Sequence, residues 1–184
     1  MLAGIIISVN AEAKTKSAAQ LHTLETVPFK VVVINIEKIR RQSKAVRNIQ
    51  AQIEGIRKTF QSQIQKEETV LKAANHELGK KRSVLTPAAF AQERRKFEKR
   101  VVEIQRMVQS KKQSLSKVQA EAMSKVQNKL DVIITAFAQE RKISLVLRRS
   151  QTILVARAYE VTGEILRQLD AQLAKVKVKK PGTK

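Results

Sequence analysis

The chain has 184 residues, and its 42% apolar content comes mostly from Ala, Val, Ile and Leu, with five Gly, three Pro and no Cys. So few turn residues exclude an all-β protein with many hairpins, and the absence of thiols excludes disulfides and thiolate metal sites. A formal charge of +21, from 37 Lys and Arg against 16 Asp and Glu, points toward polyanions, anionic lipid or acidic protein as partners and disfavours compact packing of the whole chain.

The N-terminal run LAGIIISVN followed by AEA at Ala11 to Ala13 has the small-x-small form of an export signal, with cleavage expected after Ala13. Met1 is followed directly by Leu2, so the usual basic leader is missing, and a buried N-terminal strand is the competing reading. No other segment approaches the ~18 apolar residues needed to span a bilayer, so a soluble, exported mature protein is expected. Lys14 to Pro28 lacks periodicity and reads as a flexible lead-in. Phe29 to Ile36 (FKVVVINI) is a β-branched run of strand length, expected to be buried on both faces.

From Glu37 the pattern becomes helical. Ile49, Ile53, Ile56, Phe60, Ile64, Glu67, Leu71, Ala74, Leu78, Lys81 and Leu85 form one stripe, with an extra four-residue step near Phe60 that reads as a stutter. A second stripe runs through Phe90, Arg94, Phe97, Val101, Ile104, Val108, Lys111, Leu115, Val118 and Ala122 to Val126, Leu130, Ile133 and Phe137. Between them lies VLTPAAF, where Thr86 suits an N-cap and Pro87 the first helical position. Two matched stripes around a single break predict an antiparallel helical hairpin over 37–142, with its tip near 86–87 and arms on the order of 65 to 80 Å long. A kinked helix or a compact bundle is the alternative, but a bundle needs more turns than this sequence has.

Ile143 to Arg149 (ISLVLRR) and Thr152 to Tyr159 (TILVARAY) read as two strands joined by a turn at Ser150 and Gln151. Val161 to Ala174 then reads as a short amphipathic helix with Thr162 as its cap, and the basic tail 175–184 as disordered. The fold class expected is therefore mainly α with a small β body: a long helical-hairpin, coiled-coil arm projecting from a strand-built oligomerisation base formed by 29–36 and 143–174. Three short strands and one helix make a poor core with open edges. Copies of the chain are expected to close them around Val31, Val33, Ile143, Leu145, Leu147 and Leu154.

No catalytic constellation is found. His22 and His76 stand far apart, Gly55, Gly79 and Gly163 stand alone so that no phosphate-cradling loop exists, and the carboxylates alternate with cations as surface pairs do. Neither enzyme activity, metal nor cofactor is expected. Charge is the remaining signal: the arm, from Glu37 to Lys142, carries 25 basic against 11 acidic residues. Near the tip Lys80, Lys81, Arg82, Arg94, Arg95, Lys96, Lys99 and Arg100 face only Glu93 and Glu98 within that stretch. A face kept soluble by charge competes with a client-binding face for acidic or partly unfolded protein, with anionic lipid as a further partner. Nucleic acid is not expected, because base stacking needs aromatics and the few Phe are assigned to the seam.

Two stretches resemble the Skp/OmpH-type periplasmic chaperones: VVVINIEKIRRQSKAVRNI, a strand leading through Asn and Q-S into the first long helix, and ISLVLRRSQTILVARAYEVTGEILRQLD, which ends in a V-T-x-E-I-L helix. The resemblance covers about Lys30 to Asp170. It departs from the family pattern at Arg148 and Arg149, where family members often have an acidic residue. It implies a periplasmic homotrimer with three helical tentacles around a cavity that holds unfolded outer-membrane β-barrel chains without ATP, and on relatives a lipopolysaccharide site on the arms. The rival readings are a structural coiled-coil envelope protein without client activity and, behind it, a basic nucleic-acid-binding coiled coil.

Overall fold

The computed structural model describes residues 28–181. The expected signal segment and almost all of the lead-in lie outside them. In chain order come β1 (Val31–Ile34), α1 (Ile36–Gln42), α2 (Lys44–Lys81), α3 (Pro87–Glu140), β2 (Leu145–Arg148) and α4 (Thr162–Gln172).

The arm is the predicted hairpin. At 1.5 Å per residue the 38 residues of α2 span about 57 Å and the 54 residues of α3 about 81 Å. Thr86 caps α3 by accepting from the Ala89 N–H, and Pro87 occupies the first turn, where a missing donor costs nothing. Most members of both predicted stripes line the seam. It is fully buried only toward the base, at Ile49 and Ile53 on one side and Ala122, Val126, Leu130, Ile133 and Phe137 on the other. Toward the tip, Phe60, Ile64, Leu71, Leu78, Phe90, Phe97 and Val101 are half-buried, because two helices alone cannot cover both flanks of their contact. Ile104 is the one tipward apolar residue that becomes fully buried among those described.

The arm does not start at Glu37, as the helical periodicity predicts. Asn35 caps α1 by accepting from the Lys38 N–H at 2.9 Å, and the chain breaks at Ser43, whose N–H ends α1 on the Ile39 carbonyl at 2.9 Å. The exposed first N–H of α2, on Lys44, is met by Asp170 Oδ1 of α4 at 2.7 Å. Thus α1 belongs to the body, where Ile39 packs with Ile34, Ala45, Val46, Ile165 and Leu169.

β1 and β2 pair in parallel, Val31 with Leu145 through Ile34 with Arg148. Parallel pairing needs a long crossover, and here the crossover is the whole arm. Lys142, at φ 52°, helps turn the chain back after α3. The other edge of β1 is taken by Glu160 and Val161, with the Val161 N–H on the Val33 carbonyl at 3.1 Å.

Two sequence expectations fail here. Thr152 to Tyr159 is not a strand: short 3-10 turns at Arg149–Gln151 and Arg157–Tyr159 flank an extended stretch with no ladder partner. The tail is not disordered over its first part. Val176 and Val178 are buried in the same core as Ile49 and Ile53, and their backbone is held by α2 side chains: Asn48 Oδ1 accepts from the Val176 N–H at 3.2 Å, and Gln52 accepts from the Val178 N–H at 3.1 Å.

Thr162 also differs from its expected role. It begins α4 without capping it; its buried hydroxyl accepts from the Asn35 N–H at 2.9 Å and donates to Glu160 at 3.2 Å, tying the end of β1 to α4. Thr162→Val keeps the shape but strands a part-buried N–H, so it is expected to cost about 1–3 kcal/mol in chemical denaturation.

Candidate functional site

The charged tip is organised as a clasp. Lys81 Nζ of α2 meets Glu93 of α3 at 2.5 Å, and Lys96 reaches the same carboxylate at 2.8 Å. Further from the tip Arg100 pairs with Glu67 across the seam, and further still Lys111 bonds Gln63 at 2.6 Å with its ammonium 4.3 Å from the Phe60 ring centre. This explains the polar members of the stripes: Glu67, Lys81 and Lys111 lie on the seam because each has a partner on the facing helix. Arg94 does not join it; its side chain is exposed and pairs with Glu98 at 3.3 Å, and Glu93 takes the inward place.

Of the eight cations singled out at the tip, five are therefore paired, since Lys80 also meets Glu77 at 2.9 Å. Sequence neighbours alone named Glu93 and Glu98; Glu67, Glu77 and Glu103 are the acids that reasoning missed, and Glu67 comes near only because the helices fold back. Arg82, Arg95 and Lys99 are exposed and have no ion-pair partner among the described residues. Between the helices a cavity of about 280 Å³ has Leu78 and Phe97 among its apolar lining and Lys81, Lys96 and Arg100 among its cations.

The Lys81 ammonium, then that of Lys96, hydrogen-bonds the Glu93 carboxylate and holds its pKa at about 2 instead of the usual 4.5; Glu93 in turn raises Lys96, and Lys80 lowers Glu77. A depressed carboxylate contributes stability that is complete above its unfolded value and is lost as pH falls toward its folded one. The clasp is expected to loosen between about pH 4.5 and 2, seen as faster amide exchange at 78–97 than in the body. Glu93→Gln should remove the larger part of that pH dependence, leaving what Glu77 contributes through Lys80.

The second feature is an apolar face on the body. Ile153 is 101% and Leu154 90% exposed, and Leu145 is 41% exposed, beside exposed Phe29 and Tyr159. Of the six residues expected to form a shared core, Val31, Ile143 and Leu147 are half-buried, and Leu145 and Leu154 are open. Val33 differs: at 3% exposure it is already buried within its own chain.

No helix among the described residues is long and apolar enough to cross a membrane, and no cluster of potential metal ligands occurs among them. Comparison with curated proteins finds no match. Among solved structures, the fold matches a Caulobacter crescentus CB15 protein described as an OmpH-like outer membrane chaperone. The TM-score is 0.77 at 19% identity, over 85% of this chain and 93% of that one. Residues 30–169 match the family of OmpH-like outer membrane proteins, spanning both the arm and most of the body, and the chain belongs to that family.

Proposed function

We propose that the protein is an ATP-independent periplasmic holdase chaperone, not an enzyme, that keeps unfolded outer-membrane β-barrel proteins from aggregating. The observation that carries this reading is the arm: a half-covered apolar seam edged by unpaired cations, extending tens of ångströms beyond any body that could shield it. An unfolded acidic chain meets there many weak apolar and electrostatic contacts, none strong enough to trap it. The OmpH-like family and the chaperone description of the Caulobacter crescentus protein support the same reading.

The body supports self-association, which we take to be into a homotrimer. Ile153, Leu154, Leu145 and Tyr159 leave an apolar face that copies of the chain would bury, placing several arms around one cavity. Arg82, Arg95 and Lys99, with the paired cations Lys80, Lys81, Arg94, Lys96 and Arg100 around them, form the client surface at the tip; anionic lipid or lipopolysaccharide is a further ligand for the same charge.

The test is light scattering from a denatured acidic β-barrel protein diluted into buffer. Suppression of aggregation at equimolar trimer, without nucleotide, is expected. No suppression would reject the chaperone reading in favour of a structural envelope role.

A further inference from the structure

The docking of the tail on α2 has the geometry of strand recognition. Gln52 Nε2 donates to the Val176 carbonyl at 2.8 Å, and its Oε1 accepts from the Val178 N–H at 3.1 Å. A parallel strand neighbour bonds two residues spaced in this way, one through C=O and the other through N–H. The side-chain amide of Gln52 thus stands in for a peptide group. Asn48 fixes it, with Oδ1 accepting from Gln52 Nε2 at 2.8 Å as well as from the Val176 N–H at 3.2 Å. All three tail contacts are to backbone, so they are indifferent to sequence; what the site selects is alternation, because Val176 and Val178 point the same way into the apolar root of the arm while Lys175, Lys177 and Lys179 are exposed.

The tail does not fill its groove. Between Val178, Lys180 and Pro181 of the tail and Gly55, Ile56, Thr59 and Phe60 of α2 lies a cavity of about 390 Å³, and a side chain at Gly55 would meet nothing within 4 Å. The resident segment is also electrostatically poor. Residues 175–179 carry three lysines and no acid, and the adjoining stretch of α2 bears Lys44, Arg47, Arg57 and Lys58 against Glu54. A neutral or acidic strand of the same alternation would escape that repulsion.

We propose that the groove formed by Asn48, Gln52 and the apolar face from Ile53 to Phe60 is a strand-accepting site for extended, alternately apolar segments of an unfolded chain, and that the protein's own tail occupies it as a displaceable guard. The occupant rests on the proposed holdase function, since the strands of outer-membrane barrels alternate apolar and polar residues. Charge complementarity and the seated tail itself argue for that occupant over a second apolar helix.

The experiment uses a labelled ten-residue peptide alternating Leu, Val or Phe with Asp, Ser or Thr, and a second peptide of the same composition with its apolar residues clustered. If the docked tail leaves the site free about a tenth of the time, deletion of 175–184 tightens binding of the alternating peptide about 10-fold. Gln52→Leu in the deleted chain is expected to abolish that gain, and the clustered peptide to show none. In the full chain, a fluorophore on Lys179→Cys, feasible because the protein has no native Cys, should gain mobility as the alternating peptide is added. An affinity within 2-fold of the full chain after deletion, or an immobile probe at saturating peptide, overturns the proposal and leaves the tail a structural strap. Aggregation suppression measured on the same variants separates this outcome from failure of the holdase reading: suppression without peptide exchange sinks only the groove.

Discussion

Leu154→Asp is expected to give a folded monomer where, on the proposed assembly, the native chain would sediment as a trimer. In the single chain the Leu154 side chain is 90% exposed, so a carboxylate there loses no hydration and disturbs no packing. In an assembly built on the Ile153–Leu154 face each subunit would bury one such charge, at a cost of several kcal/mol per copy. Circular dichroism should therefore remain unchanged while sedimentation velocity falls to the monomer value. An unchanged sedimentation coefficient would rule out this face as the interface. Val33→Asp behaves differently from what its place in the sequence suggests. Val33 lies inside its own chain, at the strand flanked by both β2 and Val161, so a charge there unfolds the body instead of separating intact subunits.

Joint reversal of Arg82, Arg95 and Lys99 to Glu is the second large effect, and client retention at low salt is expected to fall about 10-fold, at the lower end of what charge focusing contributes to association. These three cations hold no acid in place among the described residues, so helix content and assembly should not change. Reversal of Lys81 and Arg100 is a different experiment: it sets like charges against Glu93 and Glu67 and opens the clasp as well. Raising the salt to about 1 M shortens the screening length to about 3 Å and should bring native and triple-variant retention together. Equal retention at low salt would make the tip charges solubilising only.

The arm was legible because its signal is periodic. Apart from Arg94, every third or fourth residue from Ile49 to Leu85 and from Phe90 to Phe137 is apolar or has a cross-seam partner, and one Thr-Pro pair marks the turn. Glu93 and Arg94 show the limit of such reading, since adjacent positions at the edge of a stripe differ by about 100° and only packing decides which turns inward. The body was harder. Ile153 and Leu154 have strand propensity but form no ladder, because a strand needs a neighbour and the available edge of β1 is occupied by Glu160 and Val161. In the tail, the alternation of Val176 and Val178 is short and embedded in lysines, and its partners are side-chain amides more than a hundred residues away, which no local pattern reveals.

The arm as crossover also dictates an order of folding. Val31 and Leu145 are ladder neighbours yet stand more than a hundred residues apart, a contact order that would make direct pairing slow. Closing the hairpin from Thr86 and Pro87 downward shortens that search step by step, each cross-helix pair bringing the next within reach. The two-stranded sheet is therefore expected to close last. A chain whose rod is incomplete would lack a finished body, so on the proposed assembly completion of the rod would precede oligomer formation.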